Sequence, residues 1–295
     1  MKVHANNGQQ KLRTYEDSPK FLSKMKWPRQ AMIKYDGRWT RIVKHPDQTV
    51  QYFTSGGKMF ELLDDQVFGL EETPVGVYFA EMMGAKVEGK LGARIHSGIQ
   101  TTFFTNTRKG LFNRGRPTWR IFDYVTIADY DVGVCELPFI ERWSYLKDKI
   151  PTTHLAFDIE CENKQHYDMF HAKVVADDWE GTTCIDFNQQ WKATTSRPHV
   201  QIKRKDLNTA DLLVVEELEG EGKYVGMIGS LRCVDGTGKD VCMVGSGLTD
   251  EQRASWGSFE GKIVEVRYEQ VIDTRLIQPT FKFIRDDKTK AELLK

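Results

Sequence analysis

The spacing of apolar runs changes character near residue 210, and no other feature constrains the fold as much. Before that point strand-like and helix-like segments alternate. Ala31–Ile33, Arg41–Val43 and Val50–Thr54 read as short strands, and Val75–Met83 and Trp119–Ile127 as longer apolar ones. Pro138 opens a helical stripe of Phe139, Ile140, Trp143, Leu146 and Ile150, with proline where a first turn tolerates it. Leu155–Cys161 reads as a strand, and Tyr167, Phe170 and Val174 mark a second helix. Gly181–Ile185 and His199–Ile202 return to extended structure. After the apolar run Leu212–Val215 comes a charged, glycine-bearing break, Glu216–Gly222. Short strands with hairpin signals follow: Val225–Cys233, Val241–Val244, Lys262–Tyr268 and Thr280–Ile284, with the turn Asp235-Gly236-Thr237-Gly238 and one helical insert, Thr249–Trp256. So many strands in so short a stretch suit a small closed barrel of the OB type. The expected class is α+β: a mixed domain over residues 1–210 followed by an OB-fold β-barrel over 211–295.

Composition narrows the function classes. A chain of 295 residues with 40% hydrophobic and 28% charged residues is ordinary globular material. It contains no apolar run near the ~20 residues that span a bilayer. The stretch Met1–Asn7 has no apolar signal region. The five cysteines show no C-x-x-C spacing, which points to free thiols in a reducing cytoplasm, not to a disulfide frame or a zinc site. Lys+Arg and Asp+Glu are both 42, so the chain has no overall basic excess with which to hold a polyanion. Its charge is uneven, however. Arg108, Lys109, Arg114, Arg116 and Arg120 lie within Thr101–Ile121, a segment without an acid. On its own such a run is more often a solvated loop.

Lys34-Tyr35-Asp36-Gly37 follows directly on Ala31-Met32-Ile33. A lysine at a strand end, followed by an acid and a glycine turn, is what attack on a nucleotide α-phosphate requires. The amine is nucleophilic only when neutral, so neighbouring cations or desolvation must lower its pKa. Alone the pattern is weak: K-x-D-G arises by chance in roughly one chain in twelve of this length, and on the motif alone a surface turn is the favoured explanation.

Further motifs follow in a fixed order. They are Thr54-Ser55-Gly56-Gly57-Lys58, then Val77-Tyr78-Phe79-Ala80-Glu81-Met82, then Trp119-Arg120-Ile121-Phe122-Asp123. Glu180-Gly181, Lys203-Arg204-Lys205 and Arg285-Asp286-Asp287-Lys288 complete the series. With Lys34 included, the chain from about Met32 to Lys288 resembles the ATP-dependent DNA ligases of the nucleotidyltransferase superfamily, most of all their compact bacteriophage type. The resemblance implies that Lys34 carries AMP covalently, that Ile33, Arg38 and Lys58 line the nucleotide, and that Phe122 stacks on adenine. It places Glu81 near the ribose and a Mg²⁺ ion, with Glu180 and Asp36 as further metal ligands. Lys203 and Lys205 share one face of a strand; there the resemblance has them neutralise the α-phosphate and support catalysis by Lys34. Arg285 and Lys288 would orient the leaving pyrophosphate. Arg108, Lys109, Arg114 and Arg116 are the expected DNA contacts, and Leu212–Gly222 the expected hinge.

The departures are specific. Trp39 stands where the family has arginine, with Arg38 or Arg41 as substitutes; Ser55 also replaces a frequent arginine. Phe79-Ala80-Glu81 replaces the usual D-G-E, and Ile185 stands where a basic residue is common. The implied activity is sealing of 5′-phosphate/3′-hydroxyl nicks in double-stranded DNA by a cytoplasmic monomer using ATP and Mg²⁺, with no membrane partner. The alternatives are an RNA ligase, an mRNA-capping guanylyltransferase that would use GTP, or a non-catalytic DNA-binding relative. An NAD⁺-dependent ligase needs additional N-terminal elements that the 33 residues before Lys34 do not provide.

Overall fold

Alternating side chains and β-branched or aromatic residues make strand the commonest regular structure among the described residues. The computed structural model describes residues 4, 8, 10, 12–15, 18–60, 73–83, 118–177, 179–193, 201–205 and 207–294. It divides into two compact units, Met1–Arg204 and Lys205–Lys295.

In the first unit the strands are β1 (Arg13–Thr14), β2 (Arg29–Lys34), β3 (Arg38–Lys44), β4 (Val50–Thr54), β5 (Met59–Phe60), β6 (Gly76–Met83) and β7 (Thr118–Val125). After them come β8 (Val134–Cys135), β9 (Asp158–Cys161), β10 (Gly181–Asp186), β11 (Trp191–Lys192) and β12 (Gln201–Lys205). They form two five-stranded sheets, ordered β1-β12-β10-β2-β9 and β5-β4-β3-β6-β7, with β11 and β8 paired separately. β2 and β3 are consecutive in the chain yet lie in different sheets, so Tyr35-Asp36-Gly37 carries the chain from one to the other. Met32 and Ile185 from the first sheet meet Ile42, Tyr78, Ala80, Met82 and Ile121 from the second in one core. The helix Phe139–Lys149 seals that core with Phe139, Trp143 and Leu146. A second helix, Lys164–Ala176, covers the first sheet with Tyr167, Phe170 and Val174. The other face of the second sheet packs Val43, Val77, Phe79 and Val125 against Tyr130 and Trp191.

Among the boundaries that differ from the sequence expectation, two in the first unit have clear local reasons. The strand expected to run to Ile127 stops at Val125, because Thr126 caps the helix Ile127–Val132 by accepting the Asp129 N–H. The strand expected from Leu155 begins only at Asp158; Leu155 makes a single bridge to Ile121.

In the second unit β13 (Asn208–Glu219), β14 (Ile228–Val234), β15 (Asp240–Val244), β16 (Ile263–Tyr268) and β19 (Thr280–Ile284) form a sheet ordered β15-β14-β13-β16-β19. β17 (Gln270–Ile272) and β18 (Arg275–Ile277) pair as a hairpin. The closed barrel expected from strand count is not observed among the described residues. β15 and β19 are both edges of an open sheet, joined through one backbone bond from Phe281 N–H to Ser246 C=O (2.8 Å), because the chain has already turned after Val244. The hinge expected at Leu212–Gly222 is also corrected. Leu212–Glu219 lies within β13, which pairs with both β14 and β16. The glutamates remain in the strand because each is occupied. Glu216 pairs with Arg232 (3.2 Å), and Glu217 accepts the N–H groups of Gly257, Phe259 and Glu260. No helix among the described residues is long and apolar enough to cross a membrane.

Candidate active site

The crossing between the two sheets of the first unit creates the site. Lys34 ends β2 opposite Gly181, the first residue of β10, so Glu180 arrives beside it by strand register alone. The Lys34 Nζ donates to the Glu180 carboxylate in a close ion pair, with Glu180 buried and Lys34 partly open to solvent. Behind them Thr182 Oγ1 lies 2.9 Å from both the Tyr167 hydroxyl and His171 Nδ1, which anchors β10 to its helix. Tyr35 points inward: its hydroxyl accepts the Phe157 N–H (3.1 Å) and its ring meets Trp179 edge-on.

Gly37 explains the last letter of the motif. A Cβ built there would lie 2.6 Å from the Met82 carbonyl oxygen and 2.7 Å from Glu81 Cγ. Only glycine lets the turn pass this close to β6, and the gain is a bond from Gly37 N–H to Glu81 Oε1 (3.0 Å). Burial pushes the Glu81 carboxyl up to about 8. The Lys34 charge and the Gly37 N–H pull against this, while Glu180 and Asp36 add to it. Lys34, Asp36, Glu81 and Glu180 thus form one electrostatic cluster drawn from both sheets. Among the described residues no group of three or more His, Cys, Asp or Glu side chains is placed to hold a metal by itself.

The remaining candidates lie on β7, on β2, in the turn between β4 and β5, and on β12. Phe122 is the extra residue of a β-bulge: Asp123 pairs with Phe79 and Ile121 with Ala80, leaving Phe122 unpaired and half-buried. A bulge re-aims its side chain. Its neighbour Asp123 is gripped by Arg142 through two 2.9 Å bonds, and Arg142 also donates to the Leu137 and Gln189 carbonyls, so β7 is locked to the helix Phe139–Lys149. Ile33 donates its N–H to the Phe157 carbonyl (3.0 Å) and is partly buried. Lys58 is exposed in the turn between β4 and β5. Lys203 lies on β12 with β10 between it and β2, two strand spacings or roughly 10 Å across the sheet.

Strand alternation puts Arg38 and Arg41 on opposite faces of β3. Arg41 is buried on the far face, bonded to the Tyr130 hydroxyl with its guanidinium 4.3 Å from the Phe53 ring centroid, and burial lowers its pKa. Arg38 is half-buried opposite Met82, 6.0 Å from the Phe60 centroid. Arg108, Lys109, Arg114 and Arg116 lie outside the described residues.

In the second unit the expected pyrophosphate-binding residues are held by a partner the sequence did not single out. Arg285 donates to both Asp211 oxygens (3.1 and 2.8 Å), and Lys288 bonds to Asp211 and Glu292. Both bonds raise the Lys288 pKa, and Arg285 holds the Asp287 carboxyl down at about 2. Lys205 pairs with Glu269. Arg253, another residue with no sequence signal, is buried and donates to the Ile228, Gly229 and Gly245 carbonyls, fixing β14 to the segment after β15.

Comparison with known proteins agrees with this layout. Residues 219–285 match the family model of the DNA ligase OB-like domain. A DNA ligase of Methanosphaerula palustris is 24% identical over 200 residues, 59% of this chain and 36% of that protein, so the chain spans about a third of its length. Among solved structures, Pmar-Lig_PreS3 superposes with a TM-score of 0.73 at 20% identity, covering 94% of this chain and 67% of that one. A Lig E DNA ligase gives 0.67 at 16% identity, covering 94% and 99%. The ATP-dependent DNA ligase of bacteriophage T7, in complex with ATP, gives 0.51 at 15% identity, covering 94% and 98%. These likenesses establish a shared fold.

Proposed function

We propose that this chain is an ATP-dependent DNA ligase that seals nicks in duplex DNA. Residues 1–210 serve adenylation and 211–295 act as the OB-fold domain. The observation that carries the reading is the meeting of Lys34, Glu81 and Glu180 around a turn that only glycine can make.

The chemistry is three displacements at phosphorus. Lys34 Nζ bonds to the α-phosphorus of ATP and pyrophosphate leaves. A 5′-phosphate oxygen of the nick then takes the AMP and frees the lysine. The 3′-hydroxyl finally attacks the 5′-phosphorus, closes the phosphodiester and expels AMP. Such steps need alignment and charge neutralisation more than proton chemistry. In this reading Glu180 fixes the Lys34 side chain before nucleotide arrives, Phe122 offers its ring to adenine, and Lys203 and Lys205 supply positive charge to the phosphate. Arg38 takes the place of the family's first-motif arginine.

Asp36, Glu81 and Glu180 suit Mg²⁺. They are hard oxygen donors, Glu180 and Asp36 both disfavour the Glu81 charge, and Mg²⁺ is usually held by one or two carboxylates completed by substrate phosphates. When bound, that ion screens the phosphate oxygens. The buried free cysteines suit a reducing cytoplasm, where the protein acts as a monomer.

The test is sealing of a nicked duplex bearing a 5′-phosphate, with ATP or GTP and Mg²⁺. Sealing with ATP alone is the expected result. Covalent labelling by GTP, or labelling without any sealing of DNA, would overturn the assignment.

A further inference from the structure

The sequence motifs leave the residues before Trp27 without a role, yet part of that stretch is built into the site's sheet. β1 pairs in parallel with β12, with Arg13 opposite Ile202 and Thr14 opposite Lys203, and Tyr15 N–H donates to the Lys203 carbonyl (2.9 Å). β12 is therefore flanked on both sides, by β1 and β10. Without β1 it would be an edge strand with unpaired backbone groups, the least restrained place in a sheet.

Side chains reinforce the backbone pairing. The Gln10 side-chain oxygen accepts from Gln201, the first residue of β12 (3.1 Å), and from buried Gln189 (2.7 Å). The Tyr15 ring packs against two cations, 4.5 Å from the Arg204 guanidinium and 5.8 Å from the Lys164 ammonium. Both cations also bond Asp168, at 2.7 and 2.6 Å, and the Tyr15 hydroxyl lies 3.4 Å from the same carboxylate. Further upstream, Gly8 is buried where an added Cβ would lie 3.0 Å from both Trp191 and Tyr130. Arg204 stands between Lys203 and Lys205 and points to the opposite face, so a contact that fixes Arg204 also fixes which way Lys203 points.

We propose that the segment bearing Gln10 and Arg13–Tyr15 is a strap that holds β12 and so positions Lys203, with Tyr15 as its principal positioning residue. The inference rests on the assignment of Lys203 to the α-phosphate. Small displacements at a reacting centre are costly: about 1 Å of misplacement can slow a reaction about 100-fold.

The experiment is single-turnover self-adenylation of the full chain with labelled ATP, comparing wild type, Tyr15→Ala, Tyr15→Phe and Lys203→Ala. The rate constant is read separately from the amplitude, and hydrogen exchange is followed in peptides covering β12. Tyr15→Ala is expected to cut the rate constant about 10-fold, part of the range open to misplacement, while the amplitude stays near wild type and exchange in β12 rises. Tyr15→Phe keeps the ring against its cations and is expected to restore the wild-type rate. A fall in amplitude at an unchanged rate constant would mean loss of folded protein alone and would overturn the proposal. So would equal rates for wild type and Tyr15→Ala when Lys203→Ala is slow. If Lys203→Ala adenylates at the wild-type rate, the assignment of Lys203 fails and the strap's role fails with it.

Discussion

Replacing Gly37 with alanine tests the link between turn geometry and site most sharply. The new methyl group would sit 2.6 Å from the Met82 carbonyl, 2.7 Å from Glu81 Cγ and 2.8 Å from Met83 Sδ. The methionine sulfur can swing away. The Met82 carbonyl cannot, because Met82 is paired with Arg38 on one side and Trp119 on the other. Forcing a methyl into such a contact costs about 1–3 kcal/mol. Displacing the turn also breaks the Gly37 N–H bond to Glu81, a further ~0.5–1.5 kcal/mol for a carboxyl that is largely neutral near pH 7. The stiffer unfolded chain returns about 0.4–1 kcal/mol. The balance is about 2 kcal/mol, which for a unit of this size lowers Tm by about 4–8 °C. Gly56→Ala is the control, since its methyl would meet nothing closer than Thr54 Oγ1 at 3.8 Å. Thermal unfolding of both variants, with ATP-dependent labelling alongside, decides the matter. Gly37→Ala should be the less stable and should not label. Equal stability of the two variants would refute the close-approach argument.

Lys288→Ala should slow self-adenylation while sparing the sealing of a pre-adenylated nick, because pyrophosphate is present only in the first step; equal losses on both substrates would contradict that division. Glu81 has a folded pKa of about 8 against an ordinary 4.5, so the folded state binds the extra proton between these values. Stability from this group is therefore complete below about pH 4.5 and is lost as pH rises through 8, with a slope of up to ~1.4 kcal/mol per pH unit. Urea unfolding in EDTA from pH 5 to 9 should show a shallower decline for Glu81→Gln than for wild type. Arg114→Ala with Arg116→Ala should weaken nick binding and flatten log K against log salt by up to roughly 2 units, at ~0.9 per phosphate contact. An unchanged slope would return that run to a solvated loop.

How much was legible in the sequence depends on the range of the forces involved. Lys34 closes β2 and Glu180 immediately precedes β10, where chain order and local pattern coincide, whereas Glu81 lies two residues inside the end of β6. The fold class followed from periodicity, yet the barrel did not close. Closure depends on whether β15 and β19 meet, a long-range property that strand count does not encode. The charges of Glu216–Glu219 suggested a break, but Arg232 and three backbone N–H groups from residues 257–260 hold them in a strand. Asp211 and Tyr15 were invisible for the same reason. Their partners lie more than 70 and more than 140 residues away, and nothing in their immediate neighbourhood marks them. Arg38 and Arg41 could be separated only once the strand's two faces were known.

Everything proposed for this site depends on Lys34 becoming covalently joined to AMP. The direct measurement is peptide mass spectrometry of the full chain after incubation with ATP and Mg²⁺ in the absence of DNA. One AMP is expected on the peptide containing Lys34, with no label after incubation with GTP and none in Lys34→Ala. AMP on any other residue, or undiminished labelling of Lys34→Ala, would contradict it.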